Sequence, residues 1–103
     1  MTFLILAKNT IHYLRPDMSL SHLVDYLGHM LEAARLARTY VEGMSKEDFL
    51  DDKRTQQAII LNIVVIGEAA TKLSKEYPEF ISQHSDVPWR NIKGMRNRIA
   101  HGY

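Results

Sequence analysis

The stretch from Lys53 to Tyr77, KRTQQAIILNIVVIGEAATKLSKEY, constrains the fold more than any other part of the chain. Its centre, Ala58 to Ile66, is apolar almost all the way round a helix, with Asn62 as the interruption. A helix without a clear polar face is buried on several sides. The chain has 103 residues, enough for one domain core and too few for two. A further helix or a second subunit must therefore cover what one partner helix leaves open. Asn62 reads as a core amide satisfied by a neighbouring side chain or by backbone, in preference to a register-setting contact between helices. Gly67 costs about 1 kcal/mol relative to alanine in a helix interior. A glycine kept there marks the close approach of another backbone, expected to be a crossing helix.

Upstream, Leu20, Leu23, Leu27, Met30, Ala34, Ala37 and Val41 recur in steps of three and four. That spacing draws one apolar stripe down a helix of about six turns. Pro16-Asp17, followed by Ser19 and Ser21, reads as a loop delivering its N-cap, and Gly43 as the left-handed residue that ends it. SKEDFLDD offers Ser45 with Asp48 three residues on, close to a capping box, and so a short helix or turn. Pro78 closes the second long helix, and Glu79 to Asp86 form a short connection in which His84 is read as an exposed loop residue. Asp86-Val87-Pro88-Trp89 opens a last helix. Its apolar stripe is Ile92, Met95 and Ile99, with Arg90, Lys93, Arg96, Asn97 and His101 opposite. The pattern predicts an all-α fold, an antiparallel bundle of three to four helices over residues 19–103, preceded by an N-terminal arm at 1–18.

Composition narrows the function. The net charge is +1, so nucleic acid could be bound only through local clusters of charge. There is no cysteine, which excludes disulfides, thiolate metal sites and cysteine nucleophiles. The apolar run Phe3 to Ala7 is too short for a membrane span and lacks the charged start of a secretory signal. A cytoplasmic protein without a membrane partner is expected. His22 and His29 are seven apart, about 10 Å along a helix, too far to share one ion unaided. With His12 they are read as surface or interface residues, and neither a metal site nor a cofactor is expected.

The end of the chain carries the chemistry. From Trp89 to Tyr103 there are Arg90, Lys93, Arg96 and Arg98 and no acidic side chain. A helix C-terminus favours cations in any case, so composition alone does not make a site. Spacing adds to it. Asn97 and His101 share a helix face, Arg98 and His101 adjoin, and Arg96 and His101 stand about 140° apart around an ideal helix. Those two converge on one ligand only if the helix loosens near Gly102 or the arginine reaches round. Histidine moves protons near neutral pH, arginine grips phosphate, and asparagine orients a ring or a hydroxyl. Together they suit metal-independent cleavage of RNA by the ribose 2′-hydroxyl. That reaction needs a base and an acid, and two copies of one histidine in a shared cleft would supply both.

The stretch RNRIAHGY resembles the signature of the HEPN superfamily, and its arginine, histidine and tyrosine spacing resembles the HepT-like branch. TQQAIILNIVVIGEAATKLS, VPWRNIKGMRNRIAHGY and YVEGMSKEDFLDD are similar to that branch in the same order. The resemblance runs from about Leu20 to the end. It implies a helical bundle that dimerises through its long helices, and an endoribonuclease toxin of a toxin–antitoxin pair. By position it makes Arg96 and His101 catalytic, Asn97 the supporting polar residue and Tyr103 the acceptor of AMP. Arg90, Lys93 and Arg98 are candidate contacts to RNA phosphates. The implied partners are a second copy or a higher oligomer, RNA, and a minimal nucleotidyltransferase antitoxin that adenylylates Tyr103. The family usually begins near residue 18 and continues past the tyrosine into another helix, so part of the bundle's apolar surface is expected to be open here. The competing reading is a non-catalytic helical adaptor that binds a nucleotidyltransferase or a nucleotide.

Overall fold

A computed structural model describes residues 20–102. The arm at 1–18, the cap at Pro16 to Ser19, Tyr103, and the side chains of Leu20 and Ser21 lie outside the described residues. Five helices follow in order: α1 (Leu20–Val41), α2 (Lys46–Leu50), α3 (Lys53–Glu76), α4 (Pro78–Gln83) and α5 (Trp89–Gly102). No strand occurs among the described residues. Three helices are long and two are short. Each extensive helix-to-helix contact includes α3, with α1 and α5 packed antiparallel to it.

Local signals set the boundaries. Gly43 ends the first connection at φ 78°, a conformation glycine adopts without the Cβ penalty. Ser45 Oγ accepts the Asp48 N–H at 3.0 Å and Asp48 Oδ2 accepts the Ser45 N–H at 3.2 Å, completing the capping box. Asp52 caps α3, accepting the Thr55 N–H at 3.0 Å and the Thr55 hydroxyl at 2.7 Å. Pro78 both stops α3 and starts α4, because its missing N–H costs nothing in a first turn.

The tight core gathers at one end of the bundle. Leu23, Leu73 and Phe80 are fully buried, joined by Leu27, Ala70, Tyr77 and Trp89. Phe80 meets Trp89 edge-on at 6.3 Å between centroids, and the indole N–H donates to the His84 carbonyl at 2.9 Å. His84 is therefore not the exposed loop residue expected. It is half-buried, with its ring 4.5 Å from that of Phe80. Tyr26 ties α1 to the end of α3, its hydroxyl donating to Glu76 at 2.9 Å. Truncating any of the fully buried side chains to alanine should cost about 2–5 kcal/mol.

The opposite end is looser. On α1 the buried stripe continues through Ala33, while Ala34 and Val41 are exposed. A strict alternation of three and four drifts around a helix of 3.6 residues per turn, and it carries those two positions away from α3. Leu36, Tyr40 and Leu50 are also exposed there. α3 has the length and apolarity of a membrane span, with mean hydropathy 1.3 over its best window. Its place in the bundle accounts for part of that composition, since 28% of that window is buried. Its apolar centre is covered by α1 and α5 on two sides only. Leu61 stays 63% exposed and Val65 36%. Asn62 is buried, its amide donating to its own helix at Ala58 O, 2.9 Å, so the backbone satisfies it.

Gly67 lies at the crossing of α3 and α5. A Cβ built on it would sit 2.2 Å from Arg96 Cβ and 2.7 Å from Arg96 Cγ. Gly67→Ala is therefore expected to destabilise by about 1–3 kcal/mol through overpacking, despite alanine's better helix propensity, as read by urea denaturation. The two Thr55 hydrogen bonds, the backbone one foremost, hold the Asp52 carboxyl below its usual value of 3.8. The cap then adds stability above that value, and the contribution is lost as pH falls through the lower folded-state value. Asp52→Asn keeps an acceptor without titrating, so its acid-side loss of stability should be shallower than in the parent.

Candidate functional site

The helix face expected to carry the site is turned in part toward α3. Met95, assigned to the apolar stripe of α5, is 53% exposed, whereas Arg96 is half-buried between Ile92 and Ile99. The stripe is Trp89, Ile92, Arg96 and Ile99. Hydrophobicity alone put methionine inside, and the missing side chain at Gly67 is what admits arginine instead.

Arg96 lays its aliphatic stem across Gly67 and brings its head to the next residue of α3. Its Nε–H donates to Glu68 Oε1 at 2.6 Å, and Nη2 pairs with the same oxygen. Nη1 donates to Asn97 Oδ1 at 2.9 Å. Three of the five N–H donors a guanidinium carries are engaged, so two remain for an outside acceptor. With the side chains 32% and 44% exposed, the pair orients Arg96 more than it stabilises the fold, since such exposed pairs contribute about 0–1 kcal/mol.

Glu68 was not singled out from sequence, although a signal existed. It is the lone acidic residue between Arg54 and Lys75, in a stretch whose apolar residues form the centre of the fold. A carboxylate in such a place is a candidate to pair with a cation on another helix, and Arg96 is that partner.

His101 lies in the last turn of α5, exposed, with no hydrogen-bond partner among the described residues. Of the two conditions for convergence, loosening of the helix does not occur among the described residues, and the arginine head goes to Glu68 instead. α5 stays α-helical through Gly102, and Gly43 is the only described glycine with positive φ. Arg96 and His101 therefore remain about 140° apart around the axis, and one copy does not aim them at a common point. Arg90, Asn97 and Arg98 are exposed on the same outer side of α5 as His101, with Lys93 half-buried beside them. Arg90, Lys93, Asn97 and Arg98 line a shallow, open depression. Tyr103 lies outside the described residues. On the far side of Glu68 a small groove opens between α1 and α3, lined by Tyr26, His29, Val65, Glu68 and Lys72. Among the described residues no three His, Asp or Glu side chains converge as metal ligands do.

This arrangement can grip an anionic oxygen with a pre-set arginine and move a proton with an exposed histidine. An antiparallel all-α bundle bearing this arginine and histidine on its last helix is a protein of the HEPN type. The family model described as "Ribonuclease HepT-like" matches residues 30–103, and the chain belongs to that family. Among curated relatives, it is 40% identical over 78 residues to a "Putative RNase" of Caldanaerobacter subterraneus subsp. tengcongensis, covering 76% of this chain and 67% of that one. It is 36% identical over 79 residues to the "Probable ribonuclease HepT" of Thermococcus cleftensis, covering 77% and 69%. A "Putative RNase" of Methanocaldococcus jannaschii is 33% identical over 78 residues, covering 76% and 62%. No solved structure matches the chain.

If Glu68 orients Arg96 without holding the fold together, Glu68→Ala should change unfolding free energy by less than about 1 kcal/mol. The Arg96 Nε–H resonance should nevertheless lose its protection from solvent exchange. A large fall in stability with that resonance unchanged would contradict this role.

Proposed function

We propose that this chain is a HEPN endoribonuclease that cuts RNA without a metal, in a cleft shared by two copies. The observation that carries the reading is the division of labour on α5. Arg96 is fixed by Glu68 and Asn97 with donors to spare, while His101 has no partner among the described residues and faces elsewhere on an unbroken helix. A second copy supplies the missing convergence. The exposed apolar strip of Leu61 and Val65, on the same helix as Glu68, gives the second copy a surface to bury.

In the reaction, one His101 takes the proton of the ribose 2′-hydroxyl as its oxygen bonds to phosphorus. The bond from phosphorus to the 5′-oxygen breaks, and the second His101 gives that oxygen a proton. Arg96 stabilises the charge that gathers on the phosphoryl oxygens. The products are a 2′,3′-cyclic phosphate and a 5′-hydroxyl. Asn97 holds the guanidinium, and Arg90, Lys93 and Arg98 receive neighbouring phosphates. As the toxin of a toxin–antitoxin pair, the chain would be silenced by a nucleotidyltransferase that transfers AMP to Tyr103. The added phosphate, two residues from His101, repels an anionic substrate.

His101→Ala should leave dimerisation and unfolding unchanged and lower RNA cleavage in EDTA by about 10²–10⁴-fold, with the wild-type products ending in cyclic phosphate. An adaptor would instead bind its nucleotidyltransferase equally well with or without His101, and neither form would cleave.

A further inference from the structure

Two glycines sit inside long helices where none of the described residues needs them. Among the described residues, a Cβ on Gly28 or on Gly94 would meet no atom within 4 Å, and neither residue has a positive φ. Gly67 is the contrast, since Arg96 occupies the space its Cβ would take. Mid-helix glycine disfavours the helix relative to alanine, so packing among the described residues gives no reason for either.

Their surroundings differ. On a helix surface the neighbours of a residue lie three and four positions away on each side. For Gly28 these are Val24, Asp25, Leu31 and Glu32, a frame with two carboxylates. For Gly94 they are Arg90, Asn91, Asn97 and Arg98. All four are exposed. Gly94 is the bare floor of the depression they line, and Lys93 adds a third cation at its edge. Because Asn97 Oδ1 accepts from Arg96, its NH2 group is the part left free to donate.

Resting on the ribonuclease reading, and specifying where its substrate lies, we propose that Gly94 is the seat of an RNA phosphodiester. The phosphate approaches the backbone of α5 where no side chain intervenes. Arg90 and Arg98 grip it from either end, Asn91 and Asn97 donate from the flanks, and Lys93 adds charge. The strand then continues along the same face toward His101, about 10 Å further on. Charge argues for a polyanion over a second copy of this chain. Across a shared cleft two such faces repel if they touch directly, whereas a phosphodiester held between them complements both.

The test compares the 103-residue chain with Gly94→Ala, Gly94→Leu and Gly28→Ala. The probe is an uncleavable 2′-O-methyl oligouridine of about ten nucleotides, titrated at one fixed salt concentration. Gly94→Ala and Gly28→Ala should both raise Tm by a few degrees, as glycine-to-alanine changes in open helix positions do. Gly94→Ala should weaken binding by about fivefold or more, Gly94→Leu further, and Gly28→Ala by less than about twofold. Binding by Gly94→Ala within about twofold of wild type would overturn the proposal. So would a change in the dimer dissociation constant without a change in oligouridine affinity, which would mark a second copy as the occupant. The two readings fail separately. If binding follows this pattern but the wild type cuts no RNA, the ribonuclease reading falls and the seat stands. If cleavage depends on His101 while Gly94→Ala binds normally, the seat falls and the ribonuclease reading stands.

Discussion

The contact of Gly67 with the stem of Arg96 is the one on which the rest of the molecule depends. Because α3 has no side chain there, α5 comes close enough for Arg96 Cβ to lie where a Cβ of residue 67 would be. That approach settles which face of α5 turns inward, and it places an arginine among the packed positions. Its head reaches the surface, with the side chain 32% exposed. Glu68, the next residue of α3, meets it. Packing, orientation of the guanidinium and direction of the outer face of α5 thus follow from two adjacent residues, Gly67 and Glu68.

The same crossing separates the two chemical groups. With Arg96 committed to the α3 side, the outer side is left to Arg90, Asn97, Arg98 and His101. An intact helix holds the two sets apart. The proposed function resolves that separation through a second copy, and the proposed phosphate seat at Gly94 gives the outer face a substrate to hold. The two glycines act oppositely in this picture. Gly67 makes room for a side chain of the same chain, and Gly94 leaves room for something outside it.

Much of the fold was legible in the sequence because its determinants are local. The capping box at Ser45, the left-handed Gly43, the span of α3 and the crossing at Gly67 each rest on short-range stereochemistry. The misreadings were of side rather than of element. Ala34 for Ala33 and Met95 for Arg96 both came from placing apolar residues inside, whereas the inward position was decided by drift around α1 and by the gap at Gly67. His84 misled for a similar reason, since its partners Phe80 and Trp89 come together only once α4 and α5 fold back. At the site, the candidate residues on α5 could be read from their spacing. Glu68 could not be assigned to Arg96 that way, because 28 residues separate them and only the helix crossing brings them together. The exposed Leu61 and Val65 answer to the expectation that one partner helix would not cover α3.

The central claim is that Arg96 and His101 act across two copies. Titrating the wild type with His101→Ala tests it most directly. The two are mixed at rising proportions of the variant so that subunits exchange, and RNA cleavage is followed at constant total protein. Catalysis across two copies requires cleavage to fall as the square of the wild-type fraction, because a mixed dimer holds one histidine where base and acid need two. Cleavage that falls in simple proportion to the wild-type fraction, although mixed dimers have formed, would contradict it.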